Sequence, residues 1–468
     1  MNIILTAVFV ASAGIAGAAR AASPEAPASF SASAPCPGCS VIVVSFDALQ
    51  AAHVHSLGYP RLTTPTIDRL AGQGALFSQA ISPAPWTLPA HMSWFTGTYP
   101  SLHKVVNKFV VMPDRLVLSK LQQLAPGTQT LAQVLRDHGY ATGGFTGAAG
   151  VSGVFGFNQG FDVYSDDVPL FSGMETSVPK ALKWLTGLGD KRFFLFLHGY
   201  GIHGQYLPPG GYDKRFVDPP YEGPYDGTPS QQRVLRELGL KQSIDLDPED
   251  VTFWRDLYDE KITRTDAVFA GFLSSLQAMK LDRRTIFVLA SDHGTEEYEH
   301  KRFDHGYSLY DEMEHVLLVV VAPGIKGGQT IHVQVGTLDI MPTILALVGI
   351  QPGSELKAQL KGTSLLPLMT GSQTAGEDVY METDYRLFTH LRGLRTPDGW
   401  KLIHTMETGR IELYNVVKDP HELTNLAAAD PAKAKELDDR LLAHYVAIGA
   451  VLDHWQIGCS PVYPDQCH

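Results

Sequence analysis

Short, uninterrupted apolar runs recur along the chain and alternate with stretches that have helical spacing. The runs occupy residues 41–45, 193–197, 286–290 and 316–321. The helical patterns occupy residues 63–70, 128–138, 248–279 and 339–348. Continuous apolar strands are typical of sheets that are covered on both faces. The chain is therefore predicted to have an α/β fold, with a mostly parallel central sheet and helices on both of its faces.

The pattern changes at about residue 371. Short runs broken by turn residues follow at 379–386, 390–395, 400–404 and 411–415, and a helical pattern covers about 431–452. These runs predict a small antiparallel sheet followed by a helix. We therefore divide the chain into an α/β domain at 41–370 and a C-terminal subdomain at 371–468. Residues 206–250 are rich in proline, glycine, tyrosine and charge, which predicts an inserted loop or lid.

The N-terminal residues have the composition of an export signal. Residues 3–19 are apolar and rich in alanine and glycine, and small-residue sites such as Ala19-Arg20-Ala21 follow. We expect a signal peptide at 1–22, a linker at 23–40 and a periplasmic or secreted protein with no membrane span after signal removal. No Lys or Arg precedes residue 20, which leaves a signal anchor as the alternative.

Four cysteines, Cys36, Cys39, Cys459 and Cys467, allow three disulfide connectivities. For an exported protein we favour disulfides that tie the two ends of the chain together. A reduced Cys-x-x-Cys pair and a metal site are the alternatives.

Composition and charge exclude two classes of protein. The 468 residues are 44% hydrophobic and 10% aromatic, which is enough for a large core and excludes a disordered chain. Lys+Arg number 37 against 49 Asp+Glu, a formal net charge of −12. Nucleic acid is therefore not an expected partner, because binding its backbone needs a basic surface.

Polar residues follow the apolar runs where each predicted strand ends. They are Asp47, His198 with His203 shortly after it, and the pair Asp292 and His293. In open α/β sheets ligands bind at the carboxyl ends of the strands, so we expect these side chains to converge. Asp and His together are typical ligands of a divalent metal, and imidazole favours zinc or manganese over calcium. A single carboxylate here would indicate a cap, but three such positions favour a metal site.

Thr87 lies two residues before Pro89 and is predicted to be the N-cap of a short helix. Its hydroxyl would then lie where a helix N-terminus favours negative charge. A threonine hydroxyl becomes a nucleophile only when a base or a metal removes its proton, which a cation at the strand ends would do. His91, four residues on, lies on the same face of the helix. Plain helix capping is the alternative role for Thr87.

These residues belong to an ordered set of motifs that resembles the sulfatase branch of the alkaline phosphatase superfamily over residues 41–429. The motifs, in chain order, are Asp47, 64–70 (TPTIDRL), 87–91 (TLPAH), 96–100 (TGTYP), 291–294 (SDHG), 299–300 (EH), 305–312 (HGYSLYDE), 338–343 (LDIMPT), 412–415 (ELYN), 419–420 (DP) and 424–426 (TNL). No single motif is decisive, but the ordered set is specific. The resemblance implies a metal-dependent ester hydrolase.

The sequence departs from this family at three positions. Sulfatases carry Cys or Ser at the position of Thr87 and convert it to formylglycine, for which threonine is not a precursor. The catalytic lysine of sulfatases is replaced by His305, and Ala48 stands where a second metal aspartate is expected after Asp47. These changes resemble the phosphatases and phosphodiesterases of the superfamily that use threonine as the nucleophile.

The resemblance implies a role for each site residue. One divalent metal, with zinc or manganese favoured and calcium as the alternative, would be bound by Asp47, Thr87, Asp292 and His293. His203 and His305 would contact the ester oxygens and the leaving group, or hold a second metal. His91 would orient Thr87 or stabilise the transferred charge. His198 and His300 would support the site from behind, or be structural.

The leading hypothesis is a metal-dependent hydrolase of phosphate or sulfate esters that uses Thr87 as its nucleophile. Phosphate esters are slightly favoured, because they are the substrates of the threonine enzymes. With one metal set visible, a monoanionic substrate, either a phosphodiester or a sulfate, stays open. A sulfatase without formylglycine is the main alternative, followed by a phospho-group transferase and a non-catalytic binding protein. The substrate is expected to be a small-molecule, saccharide or lipid ester.

Overall fold

An eight-stranded sheet forms the centre of the larger domain. The computed structural model describes residues 30–31, 33–107, 109–112, 115–204, 215–217, 221–239, 244–385 and 389–450. Its strands are β1 (Ser40–Phe46), β2 (Ala75–Phe77), β3 (Ala80–Ile81), β4 (Phe109–Met112), β5 (Arg115–Leu121), β6 (Ala141–Phe145), β7 (Val163–Ser165), β8 (Phe193–Gly199), β9 (Thr285–Ala290), β10 (Glu296–Glu297), β11 (Phe303–Asp304), β12 (His315–Val316), β13 (Leu318–Val321), β14 (Gln329–Ile331), β15 (Val335–Gly336), β16 (Val379–Tyr385), β17 (Thr389–Arg395), β18 (Trp400–Thr405) and β19 (Arg410–Asn415).

The strand order in the central sheet is β14-β2-β13-β9-β1-β8-β6-β7. Strand β13 runs antiparallel to both of its neighbours, whereas the other pairs are parallel. The predicted mostly parallel sheet is therefore confirmed. Strand β1 lies between β8 and β9, which brings together the ends of three of the predicted strands.

Helices cover both faces of this sheet, as predicted. The α-helices of the described residues are α1 (Pro65–Ala71), α2 (Thr87–Thr96), α3 (Pro100–His103), α4 (Leu131–Asp137), α5 (Met174–Thr186), α6 (Pro229–Gly239), α7 (Pro248–Ala278), α8 (Asp311–Glu314), α9 (Ile340–Val348), α10 (Ser354–Gln359), α11 (Leu366–Met369) and α12 (Pro431–Ala447). Helix α4 begins later than the pattern at 128–138 predicts, because Thr130 and Gln133 form a capping box at its start.

Alternate residues of the central strands enter two separate cores. Val41 and Val43 of β1 pack in one core with helices α2, α4 and α9, while Ile42 and Val44 pack in the other with α1, α5 and α7. Strand side chains alternate between faces, so one continuous apolar run supplies both cores. This explains why the runs are apolar at every position.

The apolar run at 316–321, predicted as one strand, is divided between two sheets. Val316 belongs to β12, which pairs with β3 in a three-stranded sheet, and β13 starts at Leu318. The carbonyl of Leu317 between them accepts the N–H of Ser291 at 3.0 Å. A continuous apolar pattern gives no signal for such a switch.

The C-terminal subdomain is a four-stranded antiparallel sheet, β16-β17-β18-β19, with α12 packed against it. This confirms the predicted small antiparallel sheet. The helix ends at Ala447, before the predicted end at 452. Gly449 adopts φ +75°, a left-handed conformation that ends helices.

The disulfide prediction was wrong. Cys36 pairs with Cys39 in a short loop before β1, so this bond joins neighbours and leaves neither cysteine to reach the other end of the chain. The other two cysteines, at 459 and 467, and the predicted signal peptide at 1–22 lie outside the described residues.

The predicted insertion at 206–250 is not loop throughout, because it contains helix α6. Residues 205–214, 218–220 and 240–243 of this region lie outside the description. Among the helices that are described, none combines the length and the hydropathy that crossing a membrane requires.

Candidate active site

Three polar positions converge where the central strands end. Ser45, near the end of β1, is in register with His198 of β8 on one side and with Ala290 of β9 on the other. Asp47, Asp292 and His293 follow these positions, and all three are fully buried. Each offers a ligand atom, and these atoms lie within 4.8 Å of one another. The convergence expected from the strand ends is what the structure shows.

The donor set of this cluster fits a divalent cation. His293 Nδ1 lies 2.6 Å from the carbonyl oxygen of Gly294, an acceptor, so Nδ1 carries the proton and Nε2 has a free lone pair. That Nε2 lies 3.3 Å from Asp292 Oδ2, and neither this oxygen nor Asp47 Oδ1 has a hydrogen-bond donor. Three electron-pair donors thus face one another in a buried space, an arrangement that a cation stabilises.

Burial destabilises the ionised forms of both carboxylates when no cation balances their charge. Burial raises the pKa of Asp47 to about 7 and also raises the pKa of Asp292, with the charge of Asp47 as the next cause. A divalent cation between them removes this cost, because its charge favours both ionised forms. Asp47, Asp292 and His293 therefore form a candidate site for a divalent metal.

Neighbouring groups hold both aspartates in place. The N–H of Gly147 donates to His198 Nδ1 at 3.4 Å, so His198 carries its proton on Nε2, which donates to Asp47 Oδ2 at 3.1 Å. The N–H of Ala48 donates to Asp292 Oδ1 at 3.1 Å. Each aspartate thus has one oxygen held by the protein and the other left for a ligand.

Thr87 is the first residue of α2 and not its N-cap, so that prediction was wrong by one position. The N-cap is Trp86, and no side chain caps the helix. The Thr87 hydroxyl is instead 3.3 Å from His293 Nε2 and close enough to Asp47 to lower its pKa. Because His293 Nε2 is unprotonated, the Thr87 hydroxyl is the donor in this contact. The hydroxyl lies at the metal site and at a helix N-terminus at once.

His91 supports the main chain of Thr87 from behind. Its Nδ1 donates to the carbonyl oxygen of Thr87 at 2.9 Å, and its Nε2 accepts from Ser45 Oγ at 2.7 Å. Burial lowers the pKa of His91 to about 3, so the ring is neutral. Of the two roles assigned to His91 from the sequence, these contacts favour orientation of Thr87 over stabilisation of transferred charge.

His203 and His305 lie beside the cluster. The ring of His305 is centred 4.2 Å from that of His293, and the ring of His203 is centred 4.9 Å from that of His305. In the described part of the chain, three or more metal-ligand side chains converge at Asp47, Asp292 and His293 and at no second place. The second metal that the sequence allowed near His203 and His305 stays a prediction.

Two site residues were missed by the sequence analysis. Asp304 Oδ1 lies 2.7 Å from His305 Nδ1, and its Oδ2 lies 3.4 Å from Arg236 Nη1 of α6. Lys261, from the middle of α7, donates from Nζ to the carbonyl oxygen of His203 at 2.8 Å. Asp304 precedes His305 directly, which is a signal that sequence reading could have used. Lys261 has none, because only the packing of α7 brings it to the site.

Other candidates lie apart from this cluster. His300 stacks on Tyr310 with ring centroids 3.9 Å apart, and Lys301 forms a surface ion pair with Asp245. Trp94 is buried in the core. Trp86, next to Thr87, packs edge-to-face on Tyr385 of the C-terminal sheet.

Comparison with known proteins places this site in a family. The profile of the Sulfatase family matches residues 40–350, and the profile described as N-sulphoglucosamine sulphohydrolase, C-terminal, matches residues 298–446. The chain belongs to the sulfatase family and is an ester hydrolase of the sulfatase/alkaline phosphatase superfamily. The resemblance drawn from the motifs is confirmed.

Individual relatives are distant but extend over most of the chain. Arylsulfatase K of Mus musculus is 23% identical over 88% of this chain and 80% of its own length. The structure of a 2-O GAG sulfatase has a TM-score of 0.74 and 21% identity, covering 91% of this chain and 96% of that one. The phosphonate monoester hydrolase of Agrobacterium radiobacter has a TM-score of 0.69 and 20% identity, covering 88% and 96%.

Proposed function

We propose that this ester hydrolase cleaves sulfate esters, and other esters with a single negative charge, by attack of Thr87 Oγ1. The observation that carries the proposal is the contact of the Thr87 hydroxyl with unprotonated His293 Nε2, beside Asp47 and at the start of α2. A divalent cation held by Asp47, Asp292 and His293 would favour the Thr87 alkoxide and neutralise charge on the ester oxygens. Zinc and manganese suit this carboxylate and imidazole set.

The reaction has two displacement steps. Thr87 Oγ1 loses its proton to solvent and attacks sulfur or phosphorus, and the bond to the leaving oxygen breaks as this oxygen takes a proton from His305. Water then attacks the same atom of the Thr87 ester and returns a proton to His305, while Thr87 Oγ1 leaves and takes up a proton from solvent. The helix N-terminus stabilises negative charge on Oγ1 in both steps, and the hydrogen bond from His91 fixes the main chain that carries it.

His305 is the group that we assign to protonation of the leaving oxygen. Burial alone would raise the pKa of Asp304, but His305 and Arg236 lower it below its ordinary value, so Asp304 is an anion. Its Oδ1 accepts from His305 Nδ1, which orients the ring and leaves Nε2 free to donate to the leaving oxygen. His203 lies beside His305 and would contact the same oxygen.

The charges of the site favour a monoanionic substrate. Burial lowers the pKa of His91 to about 3 and that of His198 to about 4, and it lowers that of His203 strongly, so these rings are neutral. One divalent cation then balances Asp47 and Asp292, and Lys261 adds one positive charge. A sulfate ester, a phosphodiester and a phosphonate monoester each match this charge better than a phosphate monoester dianion does.

Sulfate esters come first among these because of the family, and a saccharide sulfate is supported by the 2-O GAG sulfatase among the structural neighbours. Phosphodiesters come second. They are favoured by Thr87, which cannot form formylglycine, and by the phosphonate monoester hydrolase with the same fold. This order reverses the slight preference for phosphate esters that the sequence suggested. Export with removal of residues 1–22 stays a prediction.

Initial rates test the proposal. Wild type, Thr87→Ala and Thr87→Ser are compared on p-nitrophenyl sulfate, bis-p-nitrophenyl phosphate and p-nitrophenyl phosphate with zinc or manganese supplied. We expect Thr87→Ala to lose at least about 10³-fold in kcat, Thr87→Ser to retain activity, and the monoanionic esters to be preferred. Thr87→Ala with wild-type activity on its best substrate would overturn the mechanism.

A further inference from the structure

A concave basic surface lies at the N-terminal ends of the central strands, on the side of the sheet opposite the active site. This basic concavity, of about 760 Å³, is lined by Lys191, Arg192, Lys280, Arg283 and Arg284. Its floor includes the first residues of β1, β8 and β9, whereas the active site follows the last residues of the same strands. Seven residues of strand β1 at roughly 3.3 Å each separate the two places by about 20 Å.

The charges of the basic concavity are left without ion pairs by the described residues. Four of its cations, Lys191, Lys280, Arg283 and Arg284, are exposed, and none of them forms an ion pair with a described residue. Asp190 is the one carboxylate among the described lining residues. In a chain with a formal net charge of −12, unpaired cations gathered in one concavity create a local positive field that attracts anions.

Arg192 is held rigidly at the inner side of this surface. Its guanidinium lies over the ring of Phe30 at 4.7 Å and over that of Tyr140 at 5.4 Å. Gly38 and Gly139 make room for it, because a Cβ on either would lie 3.3 or 3.1 Å from its nitrogens. Its protein acceptor is the carbonyl oxygen of Gly139, at 3.4 Å from Nε. A guanidinium fixed in this way, with no carboxylate partner, is prepared to bind an oxyanion in two-point contact.

The backbone beneath the basic concavity is fixed by the sheet. The N–H of Ser40 donates to the carbonyl of Arg284 at 3.0 Å, and the N–H of Ala141 donates to that of Arg192 at 3.0 Å. Two of the cations are therefore attached to strand ends that do not have to be ordered on binding. Binding therefore has to order the side chains of these two cations but not the main chain that carries them.

We propose that the basic concavity binds the sulfate and carboxylate groups of an acidic polysaccharide, at a site separate from the one that hydrolyses it. A concavity accepts a chain, whereas a flat bilayer would reach only its rim. The choice of a saccharide rests on the proposed function, and the anion binding itself rests on the cations and on Arg192. The surface would hold a polymeric substrate while its sulfate esters are presented about 20 Å away or farther.

Binding of a fluorescent heparin octasaccharide, followed by anisotropy at several salt concentrations, tests this proposal. The probe is titrated into Thr87→Ala protein, which does not consume it, and into the same protein with Lys191→Glu, Arg283→Glu and Arg284→Glu. The matched control reverses three exposed cations elsewhere, Lys326→Glu, Lys357→Glu and Lys418→Glu, with the same change of net charge. Turnover of a p-nitrophenyl ester is measured with Thr87 restored in each set.

We expect the triple change in the basic concavity to weaken octasaccharide binding at least about tenfold and to flatten its salt dependence, with the control within about twofold of the parent. Turnover of the small ester should be unchanged in both sets. Equal weakening in both sets, or tight binding that ignores the basic concavity, would overturn the proposal. Binding to vesicles of anionic lipid through these cations, without octasaccharide binding, would also overturn it. An inactive wild type with intact octasaccharide binding would refute the proposed function and leave this inference standing.

Discussion

Asp304 accepts a hydrogen bond from His305 at 2.7 Å and holds the imidazole next to the metal-site ring of His293. In the proposed mechanism this pairing would give the leaving oxygen a proton donor of fixed orientation, and Arg236 of α6 contacts the partner carboxylate. The proposed proton donor is therefore linked through Asp304 to helix α6 of the region at 206–250.

Removal of Asp304 should harm esters with poor leaving groups most. Asp304 adopts φ +86°, so glycine is the substitution that adds no backbone strain. We expect Asp304→Gly to lose about 10²-fold in kcat/KM on an alkyl ester and less than about tenfold on the p-nitrophenyl ester, whose leaving group needs no proton. Asp304→Asn keeps an acceptor for His305, so its kcat/KM on the alkyl ester should lie between those of wild type and Asp304→Gly. Equal losses on both esters would show that His305 is not the acid.

Removal of the His91 side chain should lower kcat by more than the accompanying loss of stability explains. His91→Ala removes the hydrogen bonds to Thr87 and Ser45, and we expect kcat to fall at least about tenfold with KM little changed. His103→Ala is the control, because His103 is equally buried and hydrogen-bonds Ser93 of the same helix. Both variants should lose about 2 kcal/mol in the free energy of unfolding. A drop in kcat of the same size in His103→Ala would contradict a specific role for His91.

Metal binding should stabilise the fold through Asp292. At a zinc or manganese concentration 100 times the Kd, the free energy of unfolding should rise by about 2.7 kcal/mol, seen as a higher Tm. Asp292→Asn should abolish this rise, because it leaves Asp47 and His293 without their third partner. Asp245→Asn, at an exposed aspartate, is the control and should respond like wild type. A wild-type rise in Asp292→Asn would place the metal elsewhere.

Glu296 should make the fold less stable as pH rises. Burial raises its pKa from 4.5 to about 7, and Tyr307 donates to its Oε2 at 2.6 Å while Oε1 has no partner. The folded state thus binds this proton more tightly than the unfolded state does. The contribution to stability is full below about pH 4.5 and is lost as pH rises to about 7.

Glu296→Gln should remove this dependence, because glutamine has no proton to lose in this range. The free energy of unfolding is measured with urea at pH 5 and at pH 8. Between these two pH values it should fall by up to about 3 kcal/mol more in wild type than in the variant. Glu355→Gln, at an exposed glutamate, should follow wild type. If Glu296→Gln showed the same pH dependence as wild type, Glu296 would have to be ionised in the folded state at both pH 5 and pH 8.

Much of the fold could be read from the sequence because its signals are local. The apolar runs of β1, β8 and β9 give strands buried on both faces, and the helical pattern of α7 is correct to within a residue. The direction of β13 could not be read, since an apolar run has no direction until its neighbours are known. The pairing of Cys36 with Cys39 is likewise a matter of loop geometry and not of spacing alone.

The candidate site, like the fold, could be predicted from the sequence only in part. Asp47, Asp292 and His293 could be placed together because strand ends of a parallel sheet share an edge. Thr87 was assigned one position too early in its helix, because Pro89 does not determine which residue caps it. Lys261 and Arg236 could not be found, since only tertiary packing of α7 and α6 brings them to His203 and Asp304.

The most direct test of the account is the mass of the peptide that contains Thr87 after an acid quench during turnover. With a sulfate ester or a phosphodiester as substrate, we expect this peptide from wild type to carry one sulfo or phosphoryl group, located on Thr87 by fragmentation. The same peptide should be unmodified without substrate and in Thr87→Ala. Steady hydrolysis with an unmodified Thr87 peptide at every quench time, or a group on another residue, would contradict a threonine nucleophile.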